Sequence, residues 1–378
     1  MANNNKHTGP NVPALRFPEF SGEWESCTLG DITNNFSRRN KDRIQYPMFS
    51  VTNNRGFVPQ SEQFEDREMV GEDIQAYKVI EKGDFAYNPA RINVGSIAKY
   101  EGNGKCMISS LYVCFNTIDR IDRDWFMHLL KTPKMNFYYN LNGEGGVRVY
   151  LFYPNFARIR SSYPSLAEQK KIAAMLSLID ERIATQSKII EEQETLLKSL
   201  ADRMFSENQY SCGLSELVDI VKGKQVNADT LSEEGDYYVM NGGVAPSGYY
   251  SEYNVPAGSI SISEGGNSCG YVQFNEKPFW SGGHCYSLRA KSDIVDYKYL
   301  YYFLKAKQSD VMALRIGSGL PNIQKKDIEK FTVSFPSMVQ QLRYVKVLDA
   351  VSDQLDAEKS ILVLYHKQKE HLLSEMFI

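Results

Sequence analysis

Apolar residues recur at alternating steps of four and three from Ile172 to Met204. The series is Ile172, Leu176, Ile179, Ile183, Ile190, Leu197, Leu200 and Met204, with Gln186 and Gln193 set into it. Such a series, carried for more than four heptads, is the a/d seam of a coiled-coil helix. It predicts one long helix over residues 165–206, with Ser165 as N-cap and Glu168 three residues on as the partner in a capping box. The series returns 172 positions later as Tyr344, Leu348, Val351, Leu355, Leu362, Tyr365, Leu372 and Met376, with Glu358 and Lys369 in the seam. A second long helix is therefore predicted over 337–378.

The recurrence is literal in places: Pro164 and Pro336, Ser165 and Ser337, Gln169 and Gln341, Ile189 and Ile361, Phe205 and Phe377. The chain reads as a duplication with the order globular unit, helix, globular unit, helix. The boundaries are an arm over 1–24, a first unit over 25–164, helix one over 165–206, a second unit over 207–336 and helix two over 337–378. From 172 to 204 a helix rises roughly 50 Å at ~1.5 Å per residue. Two equivalent helices in one chain most simply pair with each other, and antiparallel pairing generates a pseudo-two-fold axis. A seam this long also serves to join separate chains, and its polar positions either fix register or face a third helix from a partner.

Outside the helices the pattern changes to short β-rich runs with Gly and Pro punctuation. In the first unit these are Tyr46–Thr52, Lys82–Ala90, Val94–Tyr100 and Ile108–Phe115, followed by a helix at about Asp124 to Lys131 and a Gly-rich loop at 143–146. In the second unit Leu214–Val221 echoes Leu29–Phe36, Pro256–Ser263 echoes Lys82–Pro89, and Cys269–Phe274 echoes Val94–Tyr100. Tyr299–Lys305 lies 174 residues after Trp125–Lys131, and Tyr153–Phe156 aligns with Leu320–Ile323. The predicted fold is mixed α+β, with two similar globular domains joined to two long antiparallel helices. Residues 10–24 alternate prolines with apolar anchors and read as an extended arm docked on a surface, and Asn3 to Lys6 as a polar tail.

Composition narrows the function. At 378 residues the chain is too long for one ordinary core. Its net charge of −3 is low for a lone high-affinity DNA binder, and only residues 1–164 are slightly basic. Either DNA is not the ligand or a partner supplies part of the electrostatics. The six cysteines include no C-x-x-C pair and, with no signal peptide before them, read as reduced thiols in a cytoplasmic protein. No apolar run approaches membrane-spanning length.

Catalytic motifs are lacking. Gly104-Lys105 is followed by Cys106 and Gly223-Lys224 by Gln225, so neither forms a phosphate-cradling G-K-[ST] loop. Gly317-Ser318-Gly319 reads as a tight loop, and Asn88-Pro89-Ala90-Arg91 has half of an amino-methyltransferase N-P-P-[YF] loop without its aromatic. His284-Cys285 has no partner pair at zinc-ligand spacing, and His7, His128, His366 and His371 are scattered. The expectation is a binding protein with no catalytic residue and no metal.

The candidate contact residues lie in loops. Ser37 to Arg43 is the densest basic run, with Arg38, Arg39, Lys41 and Arg43, and its counterpart carries Lys222 and Lys224. Such a run is either a solvated loop or a phosphate-positioning one. Asn54 and Arg55, and Asn241 with Tyr249 and Tyr250, lie in or after Asn/Gly turns, which suit hairpins as well as base-edge hydrogen bonding. Arg91 and Asn93 in the first unit, and Glu264, Asn267 and His284 in the second, sit on corresponding loops.

The opening Leu15 to Ile32 (LRFPEFSGEWESCTLGDI), the junction Pro164 to Ile172 (PSLAEQKKI), its copy Pro336 to Tyr344 and Gly317 to Ile323 (GSGLPNI) together resemble the specificity subunit of type I restriction-modification systems. The likeness covers almost the whole chain. It implies two target recognition domains, each reading one half of an asymmetric, split double-stranded DNA site. It also implies helices that set the spacing and bind two methyltransferase subunits, with restriction subunits adding translocation and cleavage. S-adenosylmethionine, ATP and Mg would then belong to those partners and none to this chain. Residues 143–156 depart from the pattern, having no clean G-S-G-x-P-N. Three other classes stay open: a DNA binder acting without partners, a protein-interaction scaffold and a methyltransferase.

Overall fold

The computed structural model describes residues 11–63, 74–145, 149–206, 209–317, 319 and 321–378. The polar start Asn3–Lys6, His7, Gly146 of the Gly-rich loop, and Ser318 and Leu320 of the GSGLPNI run lie outside the described residues. The chain divides into two compact units, Met1–Thr185 with Ile361–Ile378, and Gln186–Ser360.

The first unit opens with β1 (Glu25–Thr28), the one-turn helix α1 (Leu29–Ile32) and β2 (Thr33–Phe36). Thr28 and Asp31 cap α1 reciprocally. Next come β3 (Phe49–Thr52), β4 (Gly56–Pro59), α2 (Gln60–Gln63), β5 (Lys78–Ile80), β6 (Phe85–Tyr87), β7 (Ile97–Lys99), β8 (Cys106–Ile108) and β9 (Val113–Thr117). The central antiparallel sheet has the order β2-β9-β6-β7, with β3-β4 and β5-β8 as two-stranded satellites. Helices α3 (Arg123–Leu130), α4 (Pro133–Asn142) and α5 (Tyr153–Ala157) lead to β10 (Arg160–Tyr163), which pairs antiparallel with β1. The core is aromatic: Phe85 stacks on Phe115 at 5.2 Å, and Trp125 stacks on Phe377 at 5.8 Å.

From β10 the chain enters α6 (Leu166–Ser206), a single helix of 41 residues. The second unit then repeats the opening with β11 (Tyr210–Gly213), α7 (Leu214–Leu217) and β12 (Val218–Lys222), followed by β13 (Tyr237–Met240), β14 (Tyr249–Tyr250), β15 (Ser259–Ser263), β16 (Val272–Asn275), β17 (Trp280–Ser281) and β18 (Cys285–Ala290). Its four-stranded sheet, β12-β18-β15-β16, has the strand order of the first unit's sheet. Helices α8 (Tyr297–Ala306), α9 (Gln308–Ala313) and α10 (Lys325–Glu329) precede β19 (Thr332–Phe335), which pairs with β11 and leads into α11 (Met338–Glu375).

Within each unit the two long helices pair antiparallel. In the first, Asp180 on α6 holds Lys369 on α11, and Ile172, Leu176 and Ile179 share one core with Leu372, Leu373 and Met376. In the second, Gln186 donates to the Glu358 backbone carbonyl at 3.1 Å and Lys359 pairs with Glu194 at 2.7 Å. Of the seam positions, Ile172, Leu176, Ile179, Ile190, Leu348, Leu355 and Leu372 are buried, and Ile183, Leu197, Leu200, Val351 and Leu362 are half-buried.

Three sequence expectations need correction, and one helix was not among them. Ser165 does accept the Glu168 N–H at 3.4 Å, but the Glu168 carboxylate does not turn back to complete a capping box. At 1% exposure it is a buried charge, and it takes a bidentate pair with Arg16 at 2.7 and 2.8 Å. This pair, with Trp24 packed edge-on against Trp125 at 6.0 Å, is what docks the arm. Tyr153–Phe156 matches Lys325–Ile328 and not Leu320–Ile323. Leu29 donates to the Ile159 carbonyl as Leu214 does to that of Phe331, which fixes the register at 172. The helix expected at about Asp124 to Lys131 is present as α3 and starts one residue earlier, at Arg123, because Asp122 caps it by accepting from Asp124 and Trp125. Finally, α4 was not foreseen, although Thr132 as N-cap with Pro133 at N1 is a start signal.

Candidate nucleic-acid interface

In the first unit the basic run leaves β2, where buried Asn40 folds it by bonding both ways with the Ile44 backbone, at 2.8 and 3.2 Å. The residues of the run are not equivalent. Arg38, 37% exposed, lies over the Phe36 ring and reaches Asp84 at 2.9 Å and Glu81 at 3.5 Å. Arg39, Lys41 and Arg43 are exposed. Arg43 sits at φ +52, a left-handed conformation uncommon for a residue other than glycine.

Asn54 and Arg55 are exposed in the β3–β4 turn, and Arg55 pairs with exposed Glu62 at 2.8 Å. That turn touches the loop after β6. The Asn53 carbonyl lies where a Cβ on Gly95 (φ +97) would come within 3.1 Å, so a side chain there would be strained. Arg91 opens this loop and is exposed, and Asn93 donates to Asn140 on α4 at 3.0 Å. Asn53, Asn93, Lys131, Asn136 and Lys369 line one groove of about 580 Å³. Two of the predicted loops thus converge. The basic run instead bonds along β5 and β8, through Arg39 against Lys78 and Asn40 against Met107. Asn136 and Asn140 were missed in the sequence because the helix that carries them was missed.

In the second unit the convergence is closer. Glu264, on the loop after β15, accepts from Lys222 at 2.6 Å and from the Tyr286 hydroxyl at 3.0 Å. His284 Nδ1 stands 3.8 Å from its other oxygen. Asn241 accepts the His284 backbone N–H at 3.1 Å, and Gly242 packs against His284. Burial, then the bond to Glu264, raises the Tyr286 pKa, so the hydroxyl stays a donor. Lys224 is fixed by its backbone: its N–H donates to Ser281, and its carbonyl accepts from the Trp280 indole, each at 2.8 Å. Tyr249 and Tyr250 are half-buried on their own sheet, Tyr250 edge-on to Trp280 at 5.0 Å. Asn267 is exposed beside Gly266.

Among the described residues no cluster of His, Cys, Asp and Glu could hold a metal ion, and no helix is long and apolar enough to cross a membrane. Burial pushes the thiol of Cys285 up to about 11 and those of Cys27, Cys106 and Cys114 up to about 12, which keeps them protonated at neutral pH.

Comparison with known proteins places this frame. The family described as Type I restriction modification DNA specificity domain matches residues 21–195 and again 210–364. A protein named as a type I specificity subunit in Mycoplasma genitalium is 29% identical over 166 residues, 43% of each chain, so the match spans less than half of that relative. One named as the specificity subunit of the type I restriction enzyme MjaX of Methanocaldococcus jannaschii is 22% identical over 96% of this chain and 95% of its own. The crystal structure of a type I restriction-modification S subunit from M. genitalium superposes with a TM-score of 0.68 at 18% identity, covering 97% of this chain and 99% of that one. A structure from a study of type I system assembly gives 0.57 at 16%, over 93% and 97%. With both of its units matched by the family's own domain, this chain belongs to the type I restriction-modification DNA specificity family.

Proposed function

We propose that this chain selects the DNA address for a type I restriction-modification complex and catalyses nothing itself. Residues 25–164 read one half of an asymmetric bipartite duplex target and residues 207–336 the other. The helices over 165–206 and 337–378 dock two methyltransferase subunits, and their length sets the number of unread base pairs between the halves. Restriction subunits join as translocase and endonuclease. S-adenosylmethionine, ATP and Mg bind in those partners, and the complex works in the cytoplasm.

One observation supports this reading above the others. The two units share a sheet order, a capped entry helix and a buried glutamine at the helix root, while the sequences of the loops between their strands differ. A shared frame with unrelated loops suits two readers of unrelated sequences. The low net charge agrees with partners that supply part of the phosphate attraction. The test is co-expression with candidate methyltransferase subunits, co-purification, and mapping of methylated adenines. A split motif with two unrelated halves is expected. Stable binding of S-adenosylmethionine by the isolated chain, or a target with identical halves, contradicts the proposal.

A further inference from the structure

Glu264 carries an oxygen that no hydrogen-bond donor among the described residues reaches. Its side chain is 9% exposed, and Oε1 takes both available donors, Lys222 and Tyr286. Oε2 makes no hydrogen bond. Its backbone is pinned on both sides: its N–H donates to the His284 carbonyl at 2.9 Å, and its own carbonyl accepts from Ile323 at 2.8 Å and Cys269 at 3.0 Å. A buried acceptor left unbonded destabilises the fold, and a charged one does so more. This one is kept where five segments meet: the end of β12, the turn after β13, the loop after β15, the turn before β18, and Pro321–Asn322, to which Gly265 and Gly266 are bonded. Three glycines, Gly242, Gly265 and Gly266, stand around it, and Gly266 has open space where a Cβ would be. His284 Nδ1 stands 3.8 Å from Oε2, on a side chain that is itself 64% exposed.

We propose that Glu264 is a specificity-determining residue: its free oxygen accepts the exocyclic amino group of one base, cytosine N4 or adenine N6, while His284 turns aside to admit it. This rests on the reading that the chain selects a DNA sequence. A carboxylate only accepts, and in the major groove the only donors are those two amino groups; guanine and thymine present acceptors that it repels. Rotation of an exposed interface side chain on binding is ordinary. The equivalent position of the first unit differs. Where Ile323 bonds Glu264, the first unit has Leu151 bonded to Pro89, which carries no acceptor side chain.

The experiment compares methylation maps of wild type, Glu264→Gln and Tyr286→Phe, each co-expressed with the methyltransferase partners. A glutamine amide offers donors as well as an acceptor. Glu264→Gln should therefore admit guanine or thymine at one position of one half-site, where wild type requires cytosine or adenine. Methylation at such sites should rise at least tenfold, with the other half unchanged. The wild-type map itself tells cytosine from adenine. Tyr286→Phe removes an Oε1 partner and a bond to the Ile323 carbonyl, leaves Oε2 untouched, and should keep the motif intact. Unchanged discrimination in Glu264→Gln, or the same relaxation in both variants, overturns the proposal. If Glu264→Gln fails to fold, wild type is assayed on duplexes in which each cytosine or unmethylated adenine of the motif in turn lacks its exocyclic amino group. Methylation should then drop at least tenfold at one position of one half-site, and no drop at any position overturns the proposal equally. A wild type that methylates without sequence preference defeats the functional reading first, and is told apart by that.

Discussion

Gln169 on α6 accepts the backbone N–H of Asp122 at 2.8 Å, and its amide donates to the carbonyls of Arg120 at 3.1 Å and Pro164 at 2.8 Å. Gln341 on α11 does the same with Asp296 at 2.8 Å, Ile294 at 3.1 Å and Pro336 at 2.9 Å. Each glutamine is fully buried and fastens the root of a long helix to the N-cap residue of the helix beside the sheet. Gln169→Leu should leave one N–H and two carbonyls unpaired and cost about 1–3 kcal/mol. Gln341→Leu should cost as much. Because the two share no partner, the losses should add in the double variant, read as urea midpoints.

The frame was legible in the sequence because its signals are local and repeated. The seam series, the Ser165 and Ser337 starts and the 172-residue offset all depend on neighbouring positions or on copying. What could not be read was which polar residue spends its charge inside the protein. Nothing in the run Arg38-Arg39-Asn40-Lys41-Asp42-Arg43 says that Arg38 belongs to Asp84, since that partner lies 46 residues away. Glu168 illustrates the same limit. Its position three residues after Ser165 is a capping-box pattern, yet burial beside Arg16 decides otherwise.

The Arg16–Glu168 pair should behave as a buried ion pair. Arg16→Ala leaves a carboxylate of 1% exposure without its cation and should cost on the order of 3 kcal/mol, the low end for such pairs because Arg16 keeps 14% exposure. Replacing both, Arg16→Met with Glu168→Leu, should recover much of that loss. Thermal melts check the order of the two variants, and faster proteolysis at Arg16–Trp24 in the double variant would mark release of the arm.

His128 gives the first unit an acid sensitivity. Burial, chiefly, lowers its pKa to about 4, against about 6.5 for an unfolded histidine. Between those values the folded state binds fewer protons, so the stability His128 contributes is complete above pH 6.5 and is lost as pH falls toward 4. The slope should reach roughly 1.4 kcal/mol per pH unit. Denaturant midpoints at pH 7.5, 6 and 5 should decline for wild type and flatten over that window in His128→Gln.

Gly223 is required by a close approach. A Cβ there would lie 2.1 Å from the Gly282 carbonyl oxygen and 2.3 Å from that of Ser281, backbone atoms that cannot turn away. Gly223→Ala should therefore push β12's end from the β17–β18 connection and break the Lys224–Ser281 backbone bond. The expected result is a loss of a few kcal/mol, typical of backbone strain and broken bonds, with faster amide exchange at Lys224.

The basic run separates two kinds of arginine by experiment. Arg38 is held by Asp84 and Glu81, so Arg38→Ala should lower stability and leave the salt dependence of DNA binding almost unchanged. Arg39, Lys41 and Arg43 project into solvent, and if they meet phosphates each substitution by Ala should weaken binding on all sequences alike. Each should also lower the slope of log K against log salt by about 0.9. Measured on the assembled complex from 50 to 200 mM salt, a reduced slope for Arg38→Ala and none for the other three would reverse the assignment. Because phosphate contacts carry no base information, the methylated motif should stay the same in all four variants.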